Sequence, residues 1–254
     1  PLTPQPPHLK QQPTFWGIGV GPGDGEWLTL KGLRVLQSAP VVALPQNQRG
    51  EPGLAFTIVR DHLQPHQTIL PLALPFVTEP DILRPAWQTA VDQLLKFLNQ
   101  GQDIAFVTLG DISFYSTFTY LSQTLQTQAP WVQIAGIPGV CAPLAAAAAL
   151  NIPLAIAQEK VAVLPAMYTV ADLDQALAWA DVVVLMKVAG VFKDVWQWLH
   201  HQGLLAQASL VEWVGWQDQD PSRQEKVFPS LVDLEHHQPA YFSLVIIRCH
   251  GHGV

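Results

Sequence analysis

Short apolar runs punctuate the first half of this chain at regular intervals, and longer stretches with helical spacing separate them. Phe15 to Val20, Val41 to Leu44, Thr68 to Leu72, Asp103 to Thr108 and Val132 to Ala135 predict strands. Between them, Leu28 to Ser38 places Leu30, Leu33 and Leu36 on one helical face, with Thr29 as a cap. Gly53 to Val59, Pro80 to Leu98 and Phe114 to Leu125 also predict helices, the second amphipathic through Ile82, Ala86, Leu94 and Phe97. Strand, loop and helix thus alternate, which is the pattern of a mostly parallel sheet covered on both faces.

The pattern changes after Gly136 to Gly139, which marks a domain junction. Leu144 to Leu150 predicts a helix whose alanines permit close packing. Strands are expected at Val161 to Leu164, Val182 to Met186, Ser209 to Trp213, Lys226 to Phe228 and Tyr241 to Ile247. Helices are expected at Ala171 to Trp179 and Val191 to His200. The later strands crowd together without full helices between them, so this half is expected to hold a mixed sheet. The resulting division is a flexible tail over 1–13, an N-terminal α/β domain over 14–136, a C-terminal α/β domain over 137–248 and a tail over 249–254. The first of these tails holds five prolines and little that packs.

Composition narrows the class. With 49% hydrophobic and 13% charged residues the chain is folded, with apolar surface to hide in a cleft or interface. A net charge of -7 without a dense basic patch argues against nucleic acid as a partner. No run is long and apolar enough to span a bilayer; Ile137 to Ile156, the best candidate, is broken by prolines. The N-terminus lacks a basic-then-apolar signal, and two cysteines, Cys141 and Cys249, are too few for a disulfide scaffold, so the cytoplasm is the expected compartment.

Two loops carry the candidate chemistry. The first, Gly17-Ile18-Gly19-Val20-Gly21-Pro22-Gly23-Asp24, follows the first strand and brings bare backbone near a ligand or simply turns the chain. Its spacing fits neither a dinucleotide fingerprint nor a Walker loop. The second is Leu109-Gly110-Asp111-Ile112-Ser113-Phe114-Tyr115-Ser116-Thr117, at the carboxyl end of a central strand, where parallel sheets bind ligands. Asp111 either accepts hydrogen bonds from a ligand or caps the helix starting near Phe114, and Tyr115, Ser116 and Thr117 are expected on its first turn. His62 with His66, His236-His237 and the Cys249-His250-Gly251-His252 tail lack the fixed ligand set of a zinc site, so no metal is expected. Trp213 and Trp216 are read as core or interface.

Together these motifs resemble the tetrapyrrole methylase family. Phe15 to Asp24 followed by Leu28 to Lys31 is similar to its opening motif, Gly110-Asp111 with Phe114 to Thr117 to its second, and Ile137 to Val140 to its third. Glu159 to Ala166, Val183 to Lys187 and Tyr241 to Leu244 resemble the branch that methylates C20 of precorrin-2 in cobalamin biosynthesis. The resemblance implies two α/β domains with a cleft between them, a homodimer, S-adenosyl-L-methionine as cofactor and an anionic tetrapyrrole as substrate. It puts Gly21, Pro22 and Gly23 on the substrate side, with Asp24 a candidate base for the meso proton. The cofactor residues it implies are Pro45, Gly110, Asp111, Tyr115, Ser116, Thr117, Cys141, Ala142, Met186 and Val188, with Gly110-Asp111 opposite the glycine loop. The chain departs from the pattern at Ile112, where proline is usual. It departs again at Gln46-Asn47-Gln48, where lysines are common, and at Phe76-Val77 before Thr78, where the loop is usually basic. The last two differences weaken an electrostatic grip on substrate carboxylates. Rival readings are methylation at another precorrin position or of a non-tetrapyrrole acceptor, a non-catalytic tetrapyrrole-binding or carrier protein and, disfavoured by the glycine spacing, a nicotinamide oxidoreductase.

Overall fold

The computed structural model describes residues 3, 5, 6, 12–47, 49–75, 77, 79–165, 169–217 and 221–249. Gln48, Phe76, Thr78, Ala166, the tail beyond Cys249 and most of the first eleven positions lie outside them. The chain forms two compact units, Pro1–Cys141 and Ala142–Val254.

The first unit contains five strands, β1 (Thr14–Gly19), β2 (Val41–Pro45), β3 (Thr68–Leu72), β4 (Ile104–Thr108) and β5 (Gln133–Ile137). They form one sheet in the order β3-β2-β4-β1-β5, and every pairing is parallel, as expected. Central β4 is buried along its whole length, which explains its unbroken apolar sequence. Four helices connect the strands: α1 (Leu30–Ser38), α2 (Leu54–Val59), α3 (Pro80–Leu98) and α4 (Phe118–Gln128). Thr29 caps α1 by accepting from Gly32 N at 3.0 Å, and Pro80 starts α3 where its missing N–H costs nothing.

Strand alternation sorts the core. Phe15, Val41, Ala43, Ile104 and Phe106 point to one face, where they pack with Leu94 and Leu98 of α3 and Phe118, Leu121 and Leu125 of α4. The helices α1 and α2 pack on strands β1, β2 and β4 without joining that cluster, so they cover the opposite face.

In two places the first unit departs from the expected elements. Helix α4 starts at Phe118, so Tyr115, Ser116 and Thr117 precede its first turn, with Thr117 at the cap. Asp111 therefore does not cap a helix at Phe114. Strand β5 runs through Gly136, which pairs with Gly17, so the turn out of the sheet begins only after Ile137.

The second unit has the mixed sheet that strand crowding predicts. Its strands are β6 (Val161–Leu164), β7 (Val182–Met186), β8 (Ala208–Gln217), β9 (Gln224–Phe228) and β10 (Ser243–Arg248), in the order β6-β7-β10-β8-β9. Only β6 and β7 are parallel. The helices are α5 (Ala142–Ala149), α6 (Val170–Leu177) and α7 (Phe192–His201). A capping box between Thr169 and Asp172 starts α6. Strand β8 runs four residues past the expected Trp213, because the ladder shifts register between Glu212 and Gln217 and Trp213 takes φ 51°. Two buried carboxylates brace this unit. Arg248 forks onto Glu159 at 2.7 and 2.8 Å and also donates to the Pro153 and Leu154 carbonyls. Glu212 accepts from His237 Nε2 at 2.9 Å and from Ala240 N at 3.0 Å.

Candidate functional site

All five strands of the first sheet run parallel, so the loops after β1, β2, β4 and β5 emerge along one edge. Strand order decides where that edge opens. From β2 the chain continues outward to β3, whereas from β4 it continues the other way, past β1, to β5. Neighbouring strands whose continuations diverge leave a crevice at their carboxyl ends. The hydrogen-bond register shows the gap. Val41, Val42 and Ala43 pair with Ile104, Ala105 and Phe106, and the ladder stops there, leaving Leu44-Pro45 apart from Val107-Thr108.

On its other side β4 stays closed. The ladder with β1 continues to Gly19 and Thr108, and Val20 N donates to Thr108 O at 3.0 Å. Gly21 and Gly110 then exchange backbone bonds, Gly110 N to Gly21 O at 2.8 Å and Gly21 N to Gly110 O at 3.2 Å. The two glycine loops are therefore bonded neighbours rather than opposite walls. Gly19 supplies the close approach: a Cβ there would lie 2.6 Å from Gly139 N and 2.7 Å from Gly110 O.

Asp111 extends this seam to the loop after β5. Its Oδ2 accepts from Gly139 N at 2.8 Å, and its Oδ1 accepts from Ser113 N at 2.8 Å and from the Ser113 hydroxyl. Partial burial raises the carboxyl's pKa, but the Ser113 hydroxyl, Ser113 N and Gly139 N bonds outweigh it and hold the group below its ordinary value. Ser116 is buried; its hydroxyl accepts from Phe118 N at 3.2 Å and lies 3.5 Å from the Thr108 hydroxyl. Pro45 closes β2, and its carbonyl accepts from Gly53 N at 2.9 Å. Gly110 has φ 70°, and a Cβ built on it would meet nothing within 4 Å. Its Cα thus faces open space.

Pro22, Gly23 and Asp24 lie half-buried beyond the seam. Asp24 Oδ1 accepts from Glu26 N at 2.8 Å and so starts a short 3-10 turn, Gly25–Trp27. Cys141 and Ala142, also half-buried, flank the boundary between the units.

In the second unit Met186 ends β7 half-buried, and Val188 is fully buried in that unit's core. Lys187 between them takes φ 55° and donates its N–H to Ser243 O at 3.0 Å. Sequence reasoning missed the groups beside this turn. Among the described residues the buried Trp213 indole N–H and Ser243 hydroxyl have no hydrogen-bond partner, and Trp213 N donates to Phe242 O at 2.8 Å. Trp213 read as packing because its left-handed backbone arises from a register shift that local sequence does not reveal. An open groove of about 380 Å³ lies between β6 and α6, lined in part by Asp172, Gln175 and Trp179.

A parallel α/β unit parted at the carboxyl ends of adjacent strands belongs to the broad class that binds small molecules there. Comparison with known proteins narrows the class. The family model of the tetrapyrrole (corrin/porphyrin) methylases matches residues 14–225. A probable cobalt-precorrin-2 C(20)-methyltransferase of Methanocaldococcus jannaschii is 33% identical over 172 residues, 68% of this chain and 71% of that protein. A cobalt-precorrin-2 C(20)-methyltransferase of Salmonella typhimurium is 29% identical over 235 residues, 92% of this chain and 95% of that protein. The crystal structure of a cobalt precorrin-4 methyltransferase shares the fold, with a TM-score of 0.68 at 21% identity over 97% of this chain and 98% of that one. The chain belongs to the tetrapyrrole methylase family.

Proposed function

We propose that this protein transfers a methyl group from S-adenosylmethionine to C20 of precorrin-2 or its cobalt-containing counterpart. The observation that carries the reading is the parting of β2 from β4 beside Gly110, whose open Cα face lets a ligand reach the backbone. The similarity to two C20-methyltransferases supports the position on the macrocycle.

When bound, S-adenosylmethionine supplies an electrophilic methyl on a positively charged sulfur. Pro45, Gly110, Asp111, Ser116 and Thr117 are proposed to bind it, with Cys141, Ala142, Met186 and Val188 as further contacts. The Asp111 carboxylate, kept ionised by Ser113 and Gly139, favours a cationic group nearby. These residues act by fixing the methyl donor and excluding water, so that alignment lowers the barrier. Gly21, Pro22 and Gly23 are assigned to the substrate, and Asp24 to removal of the meso proton.

The test is incubation with S-adenosylmethionine labelled in its methyl group and either metal-free or cobalt-loaded precorrin-2, followed by locating the label. Label at C20 is expected. Label at another carbon reassigns the position, and no transfer removes the reading. In the same assay Asp24→Asn slows transfer while cofactor affinity holds; unchanged turnover leaves Asp24 as a turn residue only.

A further inference from the structure

The segment from Asp111 to Thr117 is fastened at both ends. Asp111 binds Ser113 and Gly139 at one end, and Ser116 binds Phe118 N and approaches Thr108 at the other. Tyr115, between the fastenings, takes φ 55°. For a residue with a Cβ this left-handed backbone costs about 1–2 kcal/mol, which glycine would avoid. Yet the side chain returns little packing. Tyr115 is 56% exposed, whereas adjacent Ser116 is 8% exposed, and its ring neighbour is Phe114, edge-on at a centroid distance of 4.6 Å. Backbone strain held at a residue whose side chain gains little packing is an outlier from which a functional role is argued.

The charge pattern indicates what it binds. The segments Val20 to Asp24 and Leu109 to Thr117 contain no lysine or arginine and two aspartates, and Gln46 and Asn47 follow β2. A polyanionic macrocycle gains no ion pair from these residues, Arg49 being the next cation after β2, and its flat apolar faces are what an aromatic ring here can contact. Resting on the function proposed above, we infer that Tyr115 is a substrate-binding residue, with its ring against the face of the tetrapyrrole. The family resemblance assigned it instead to the cofactor. Its exposure separates it from buried Ser116.

Three variants test this: Tyr115→Phe, Tyr115→Ala and Tyr115→Gly. Each is titrated with S-adenosylmethionine by calorimetry and with uroporphyrin III, a stable anionic tetrapyrrole, by fluorescence; KM for precorrin-2 and Tm are also measured. Alanine and glycine are expected to weaken uroporphyrin binding and raise KM by about tenfold, the scale of one lost aromatic contact. Phenylalanine keeps most of the affinity, and cofactor affinity stays within about twofold in all three. The glycine variant melts above the alanine variant because strain is relieved, a split between stability and binding that a structural role does not produce. Loss of cofactor affinity with unchanged uroporphyrin binding overturns the inference, as does no change in either. Because the fluorescence titration needs no methyl transfer, an inactive wild-type protein that still binds uroporphyrin through Tyr115 refutes the proposed reaction and leaves this inference standing.

Discussion

Strand β4 has two neighbours and meets them differently. Toward β1 the ladder runs to its end and continues through the paired backbones of Gly21 and Gly110. Toward β2 it stops at Ala43 and Phe106, and the strands part. One border is sewn shut and the other left open, although both are parallel pairs in one sheet. The contrast separates two uses of glycine within a few residues. At Gly19 and Gly139 the missing Cβ lets three loops pack backbone to backbone; at Gly110 it leaves a surface bare.

The largest effect is expected from breaking the closed border. Gly19→Ala drives a methyl against the Gly139 amide and the Gly110 carbonyl, both backbone atoms that cannot swing aside. Overpacking of this kind is expected to cost about 3 kcal/mol, read from urea unfolding. A loss below about 0.5 kcal/mol would mean the seam is loose, and the contrast with β2 would collapse.

Asp111→Asn tests the same border more gently. The amide retains one acceptor but turns an NH2 toward either Ser113 or Gly139, so a charge-assisted bond is lost, at about 1.5 kcal/mol near neutral pH. The sign of its pH dependence follows from the depressed folded pKa. The carboxylate's contribution is fully present above the ordinary value of 3.8 and is lost as pH falls through the lower folded value. Wild type and variant therefore converge in acid when melting temperatures are followed from pH 7 to pH 2. A constant gap would show that the charge plays no part.

Much of this border was legible in the chain, but not its wiring. The strands of the first sheet and helix α3 follow from periodicity, because buried parallel strands and amphipathic helices leave strong local patterns. The start of α4 did not follow: Phe114 and Tyr115 continue an apolar spacing that suits a helix, while the bonds from Asp111 and Ser116 hold the chain out of one. Asp111 to Gly139 is a contact between the ends of two strands separated by a helix, and no local signal encodes it. The parting of β2 from β4 depends on which strands become neighbours, and the left-handed backbone of Trp213 lies within a register shift of β8. Loop composition named the residues; topology assigned them to a closed or an open side.

The smallest effect on stability, and the sharpest on the comparison, is expected at Gly110. Its φ of 70° strains any other residue, but a Cβ there meets no atom within 4 Å. Gly110→Ala should therefore cost only about 1 kcal/mol from backbone strain, well below Gly19→Ala. If the open side is where S-adenosylmethionine lies, the new methyl occupies ligand space, and calorimetry should show cofactor affinity falling by more than about tenfold while the fold survives. Gly19→Ala, assayed at a temperature where it remains folded, should lose less affinity for each unit of stability lost. Equal affinity in wild type and Gly110→Ala would mean that the open face of Gly110 looks onto bulk water. The gap between β2 and β4 would then be a consequence of strand order with no ligand in it.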